Sequence, residues 1–213
     1  MGLNVESHLG AVERSVSYLD RDGQPASAVT LTRSYETTVE DLWDAVTNGE
    51  RIPRWYLPIS GDLKLGGRYQ LVGNAGGTIT TCDRPSHLAI TWEYAGDVSW
   101  VDVHVAADGT GRARLTLTHT ARLSPFWDQY GPGAAGVGWE QSFLGLALHL
   151  SQPNDPKMDE AAFAASPDGK AFITGSSDGW EQAAIASGTD PAAARAAAAQ
   201  TTAFYTGGSA QPA

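Results

Sequence analysis

Residues 61–94, "GDLKLGGRYQLVGNAGGTITTCDRPSHLAITWEY", decide how the rest of the chain is read. Apolar and polar side chains alternate between glycine-rich breaks, and a period of two with short polar interruptions is the pattern of half-buried strands joined by tight turns. The stretch holds no nucleophile–base pair, no metal-ligand spacing and no complete phosphate loop. The same texture continues to about Thr120, which predicts strands over Gly67–Val72, Thr78–Cys82, His87–Tyr94, Ser99–Ala106 and Arg112–Thr120. The breaks "GNAGG", "DRPS", "YAGD" and "ADGTG" are hairpin-length, so sequential neighbours pair antiparallel. Alternation assigns one inward face: Leu88, Ile90 and Trp92; Val101, Val103 and Val105; Ala113, Leu115, Leu117 and His119. His104 has the opposite parity and is expected on the outer face, as are Glu93 and Asp102.

Upstream, "AVERSVSYLDRDGQPASAVTLTRSYE" (11–36) reads as a hairpin, with Val12, Arg14, Val16 and Tyr18 alternating before the turn and Val29, Leu31, Arg33 and Tyr35 after it. "TTVEDLWDAVTNGE" (37–50) is an amphipathic helix in which Thr37 and Glu40 have capping-box spacing and Asn48-Gly49 ends the run. "RIPRWYLP" (51–58) predicts a turn with a proline-started helical fragment. Downstream, "GVGWEQSFLGLALHL" (136–150) is too apolar for a surface helix and is the natural cover for the inward face of the sheet. The stretch before it, "LSPFWDQYGPGAAG" (123–136), is expected as an aromatic loop serving as rim or lid. Beyond Ser151, Ser-Pro and Asp-Pro starts predict a helical tail, packed on the sheet domain or on a second copy of the chain.

Composition excludes several functions. The 213 residues carry 14 Lys and Arg against 24 Asp and Glu, a formal charge of −10, and the basic residues are dispersed, so a nucleic-acid partner is not expected. Cys82 is the single cysteine, which rules out an internal disulfide and a multi-cysteine zinc site. The five histidines, His8, His87, His104, His119 and His149, include no pair at i,i+4, so no metal and no cofactor are expected. No run approaches the roughly 20 apolar residues of a membrane helix. The opening "MGLNVESHLGAVERSV" lacks a secretory pattern, which makes the cytoplasm the expected compartment.

The segments "TVEDLWDAVTNGERIPRWY", "GDLKLGGRYQLVGNAGGTI", "PSHLAITWEY", "GRARLTLTH" and "GWEQSFLGLALHL" occur in that order over roughly residues 28–150. In order and spacing the chain resembles the START-like or SRPBCC superfamily, in the branch homologous to the C-terminal domain of the heat-shock-protein-90 ATPase activator. The resemblance implies an α+β helix-grip fold, a curved antiparallel sheet wrapped around a long helix, divided here as an N-terminal extension (1–27), a helix-grip domain (28–152) and a helical extension (153–213). It also implies an apolar cavity for a hydrophobic small molecule, and it carries no shared catalytic motif. Aromatic size and inward parity nominate Trp55, Tyr69, Trp92, Trp127, Trp139 and Phe143 as its lining. His119 is the candidate polar anchor, with Glu140 or Gln141 on the covering helix as a carboxylate or amide able to approach it. The leading expectation is a ligand-binding or carrier protein. The alternatives are a cavity-based cyclase or hydrolase using His119 with Glu140, and an interaction protein acting on a chaperone ATPase.

Overall fold

The structure is a computed structural model and describes residues 3–208. It is α+β, as expected. Helix α1 (Val5–Gly10) precedes strands β1 (Glu13–Arg21) and β2 (Gln24–Tyr35); α2 (Val39–Thr47), a 3₁₀ turn (Ile52–Arg54) and six further strands follow. These strands are β3 (Ile59–Gly61), β4 (Arg68–Leu71), β5 (Gly76–Asp83), β6 (His87–Tyr94), β7 (Asp97–Ala107) and β8 (Ala113–Arg122). Helices α3 (Pro125–Tyr130), α4 (Gly133–Ser151), α5 (Glu160–Ala165), α6 (Pro167–Ala186) and α7 (Pro191–Tyr205) complete the chain. The eight strands form one sheet in the order β1-β2-β8-β7-β6-β5-β4-β3, and every pairing from β8 to β3 is antiparallel.

The chain divides into two compact units. One comprises the described residues of Met1–Leu31, Arg122–Gln141 and Met158–Ala213; the other comprises Thr32–Ala121 and Ser142–Lys157. In the first unit α6 is the organising element, packing on α1, β1, α5 and α7. Its Trp180, Phe172 and Ile173 are almost completely buried. Gly136 is what admits the Trp180 indole, because a Cβ at that position would lie 2.1 Å from the ring.

In the second unit the sheet face predicted to be inward is the one that carries the core: Val101, Val103, Val105, Leu115 and Leu117 are buried, and Ser142–Ser151 of α4 supplies Phe143, Leu144 and Leu146. Tyr35 meets Phe143 edge-on at 6.4 Å and its hydroxyl donates to the Phe143 carbonyl at 3.4 Å. Gly145 allows α4 to pass close to the chain after the 3₁₀ turn, since a Cβ there would stand 2.7 Å from the Trp55 carbonyl oxygen.

Two local expectations need correction, and two short elements add to the expected set. The cap of α2 is Thr38, whose hydroxyl accepts from the Asp41 amide; Thr37 instead donates to the Asp41 carboxylate at 2.5 Å. The supposed lid is partly helical, because Ser124 caps α3, Pro125 sits in its first turn, and Gly131 at φ 59° ends it. The N-terminal extension contains α1, capped by Asn4. Strand β3, only three residues long, is held by pairing with β4 and shows no alternation of its own. The last five residues of the expected tail, and the first two of the N-terminal extension, lie outside the described residues.

Candidate functional site

Five of the nominated residues belong to the second unit: Trp55, Tyr69, Trp92, His119 and Phe143. Tyr69, Leu71 and Ile79 form a buried nucleus on β4 and β5, and around it pack Tyr56, Leu57, Ile59, Leu63, Cys82, Leu88, Ile90 and Trp92. These surrounding side chains are only half-buried. The difference between adjacent strands is informative: Val101 and Val103 on β7 are closed off from solvent, whereas Ile90 and Leu88, their partners on β6, remain partly open, as does Trp92 further along the same face. Tyr69 donates its hydroxyl to the Thr91 carbonyl at 2.8 Å, and burial raises its pKa so that it stays a neutral donor. Trp55 stacks on Tyr56 with centroids 5.5 Å apart and spends its indole N–H on the Ala45 carbonyl at 2.9 Å. Phe143, at 2% exposure, is a core residue of the unit.

The polar end of this wall is a three-residue chain. Register places Ser99 opposite Trp92 and His119 opposite Val101, so Trp92, Ser99 and His119 share a face. Nε2 of His119 lies 2.8 Å from the Ser99 hydroxyl, which itself donates to the Trp92 carbonyl at 3.2 Å. A hydroxyl has one proton, so with that proton on the carbonyl the imidazole must carry its hydrogen on Nε2 and donate it. The Trp92 ring stands 5.9 Å from the His119 ring. Burial pushes the His119 pKa down to about 4, although the residue keeps some solvent-exposed surface, so the ring is neutral at pH 7. The sequence shows the inward parity of His119 but gives no indication of Ser99 as its partner.

That depressed pKa has a consequence for stability. In the unfolded chain the ring takes a proton near its ordinary 6.5, while the fold refuses it until about 4. Stability present above the unfolded value is therefore lost as pH falls from 6.5 towards 4, by up to about 3 kcal/mol. His149, lowered chiefly by burial, acts in the same direction. Urea melts across this range are expected to show a shallower pH dependence for His119→Gln than for wild type. Equal slopes would contradict the assignment.

The other three candidates, Trp127, Trp139 and Glu140, belong to the first unit. Trp127 on α3 meets Tyr18 edge-on at 6.1 Å, and Trp139 is half-buried on α4. Glu140 is completely buried and committed to Arg14: Nε donates to Oε1 at 2.7 Å and Nη2 to Oε2 at 2.6 Å. Both carboxylate oxygens are thus engaged by one guanidinium. A cleft in this unit, bordered by Tyr130, Ser177, Trp180 and Ala198, offers about 10 Å³, which is space for a water.

The model of the Activator of Hsp90 ATPase homolog 1-like protein family matches residues 36–151, more than half of the chain. The chain belongs to this family. As a START-like member it has a helix-grip fold, consistent with CalU16 from Micromonospora echinospora, whose crystal structure is similar at 27% identity and TM-score 0.66 over 84% of this chain and 99% of that one. The solution structure of CalU16 gives TM-score 0.71 over 83% and 97%. That coverage reaches beyond the family match, so part of the chain outside residues 36–151 has a counterpart in CalU16. An HSP90 activator from Plasmodium falciparum shares the fold at 24% identity and TM-score 0.51, covering 61% of this chain and 99% of its own. No curated protein matches the chain. Among the described residues no helix is long and apolar enough to cross a membrane.

Proposed function

We propose that this family member binds a hydrophobic small molecule against the wall formed by Leu88, Ile90 and Trp92, with His119 as a neutral polar anchor beside it. The observation that carries the reading is the partial exposure of this strand face next to the closed face of β7. Apolar area left accessible on an otherwise buried sheet face can be removed from water by a ligand, at about 25 cal/mol per Å². A neutral imidazole suits such a site, because an ionised group facing a greasy ligand would have to be desolvated.

The hydrolase reading fits less well. A serine beside a histidine suggests an activated nucleophile, yet here the Ser99 hydroxyl is within donating distance of a backbone carbonyl, an arrangement in which the histidine donates to the serine instead of taking its proton. Glu140, the suggested carboxylate, is held by Arg14.

The test is a fluorescence titration with 1-anilinonaphthalene-8-sulfonate and a series of apolar competitors. Saturable binding in the wild type and a loss of about tenfold or more in affinity for Ile90→Glu are expected, the latter because a charge would then occupy the wall. Saturation that is unchanged in Ile90→Glu, or no saturation with any probe, would contradict the proposal.

A further inference from the structure

The opposite face of the same sheet carries a constellation that ligand binding does not use. Strand β6 turns into β7 through Ala95-Gly96, both at positive φ, and the register that follows sets His87 directly across from His104 and Ala89 across from Asp102. Directly opposed side chains on one sheet face have Cβ atoms about 4.5–5.5 Å apart, and the diagonal neighbour is within reach of a long side chain. The two imidazoles accordingly stack, with ring planes 7° from parallel and centroids 4.2 Å apart, and Nε2 of His87 is 3.1 Å from Asp102 Oδ1. One donor atom from each of His87, Asp102 and His104 falls within 4.8 Å of the others.

We propose that His87, Asp102 and His104 bind a divalent transition-metal ion of the zinc class. With metal–nitrogen and metal–oxygen bonds of about 2.0–2.2 Å, a tetrahedral ion spans about 3.3 Å between ligand atoms, so the 3.1 Å separation of His87 and Asp102 is already that of a coordination edge. His104 is exposed and can turn its ring to close the third position without disturbing packed neighbours. Asp83, paired with His87 on β5, has its carboxylate 4.0 Å from Nδ1, on the side where a carboxylate orients a metal-bound imidazole. Two imidazoles and one carboxylate favour zinc, copper or nickel over magnesium or calcium, and three protein ligands leave coordination open to an outside donor.

Among the charged groups on this face, Asp83 on β5, Asp102 on β7 and Arg114 on β8, across from Ala106, neighbour the imidazoles in register, while Glu93 on β6 is engaged by Arg68 of β4 at 2.7 Å. Asp83 and Asp102 favour the cation and Arg114 opposes it.

Isothermal titration of metal-free full-length protein with Zn²⁺ tests the site. Binding of one ion per chain is expected, weakened at least about tenfold in His104→Ala and in Asp102→Asn, and unchanged in His149→Ala. His104 is exposed, so its variant is expected to keep the wild-type circular dichroism. With Cu²⁺ as the probe, electron paramagnetic resonance should report two nitrogen ligands in the wild type and one in His104→Ala. Absence of stoichiometric binding, or equal affinity and an unchanged spectrum in His104→Ala, would overturn the proposal. None of these outcomes depends on the apolar wall, so the two readings stand or fall separately.

Discussion

Glu140→Ala is expected to cost the fold about 3–5 kcal/mol, the range for removing one partner of a buried ion pair and leaving the other charge without compensation. The Glu140 side chain is wholly buried and that of Arg14 is 13% exposed, so solvent cannot readily replace the lost carboxylate. The guanidinium makes two further bonds: Nη1 donates to the Val12 carbonyl at 2.9 Å, and Nη2, besides Glu140, donates to the Leu9 carbonyl at 3.1 Å. The pair therefore ties α1 and the start of β1 to the first half of α4 within the first unit, and its loss should loosen all three. Arg14→Lys should fall short of rescue because an ammonium cannot present the forked donors. The double variant Arg14→Met/Glu140→Leu should recover most of the stability, since the penalty lies in the unpaired charge. Chemical denaturation of the four proteins measures this; a loss below about 1 kcal/mol in Glu140→Ala would show that the pair is not structurally important.

Phe143→Ala is the second large effect, about 3–5 kcal/mol for an aromatic ring removed from a packed interior. Phe143 is 2% exposed, with Tyr35 against its edge and Leu144 and Leu146 fully buried beside it. The consequence separates core from lining. If Phe143 faced a ligand, its truncation would change affinity and barely change the denaturation midpoint. The structure instead predicts a large shift in midpoint. A shift worth less than about 1 kcal/mol, with weakened binding of the apolar probe, would return Phe143 to the wall.

Much of the second unit is legible in the sequence because period-two alternation and short breaks leave few arrangements open. Leu88, Ile90 and Trp92 share a face for that reason, as do Val101, Val103, Val105 and His119. What alternation cannot convey is the degree of closure: Trp92 and Val101 have equivalent parity, yet one is half-open and the other buried. Long-range partners are equally hidden. Arg14 occupies an apolar parity position on β1, a sign that a buried counter-charge exists somewhere, but its partner lies 126 residues away on a helix read mainly for its leucines. The His87–His104 pairing is implicit in the sequence. Counting outward from a two-residue turn at Ala95-Gly96 gives that register directly, but an alanine at φ 51° is a poor advertisement for a turn that usually shows Asn-Gly. Helix α3 is marked in the sequence only by its Ser124-Pro125 start, and its aromatics and flanking glycines have the composition of an irregular loop.

The wall of β6 is the proposed binding surface. Methyl-resolved NMR of isoleucine- and leucine-labelled protein, titrated with 1-anilinonaphthalene-8-sulfonate, reads that surface residue by residue. Saturable shifts at Leu88 and Ile90, larger than those at the buried Leu115 and Leu117 of β8, are the predicted result. Shifts absent from Leu88 and Ile90, or spread evenly over the methyl groups without saturation, would contradict it.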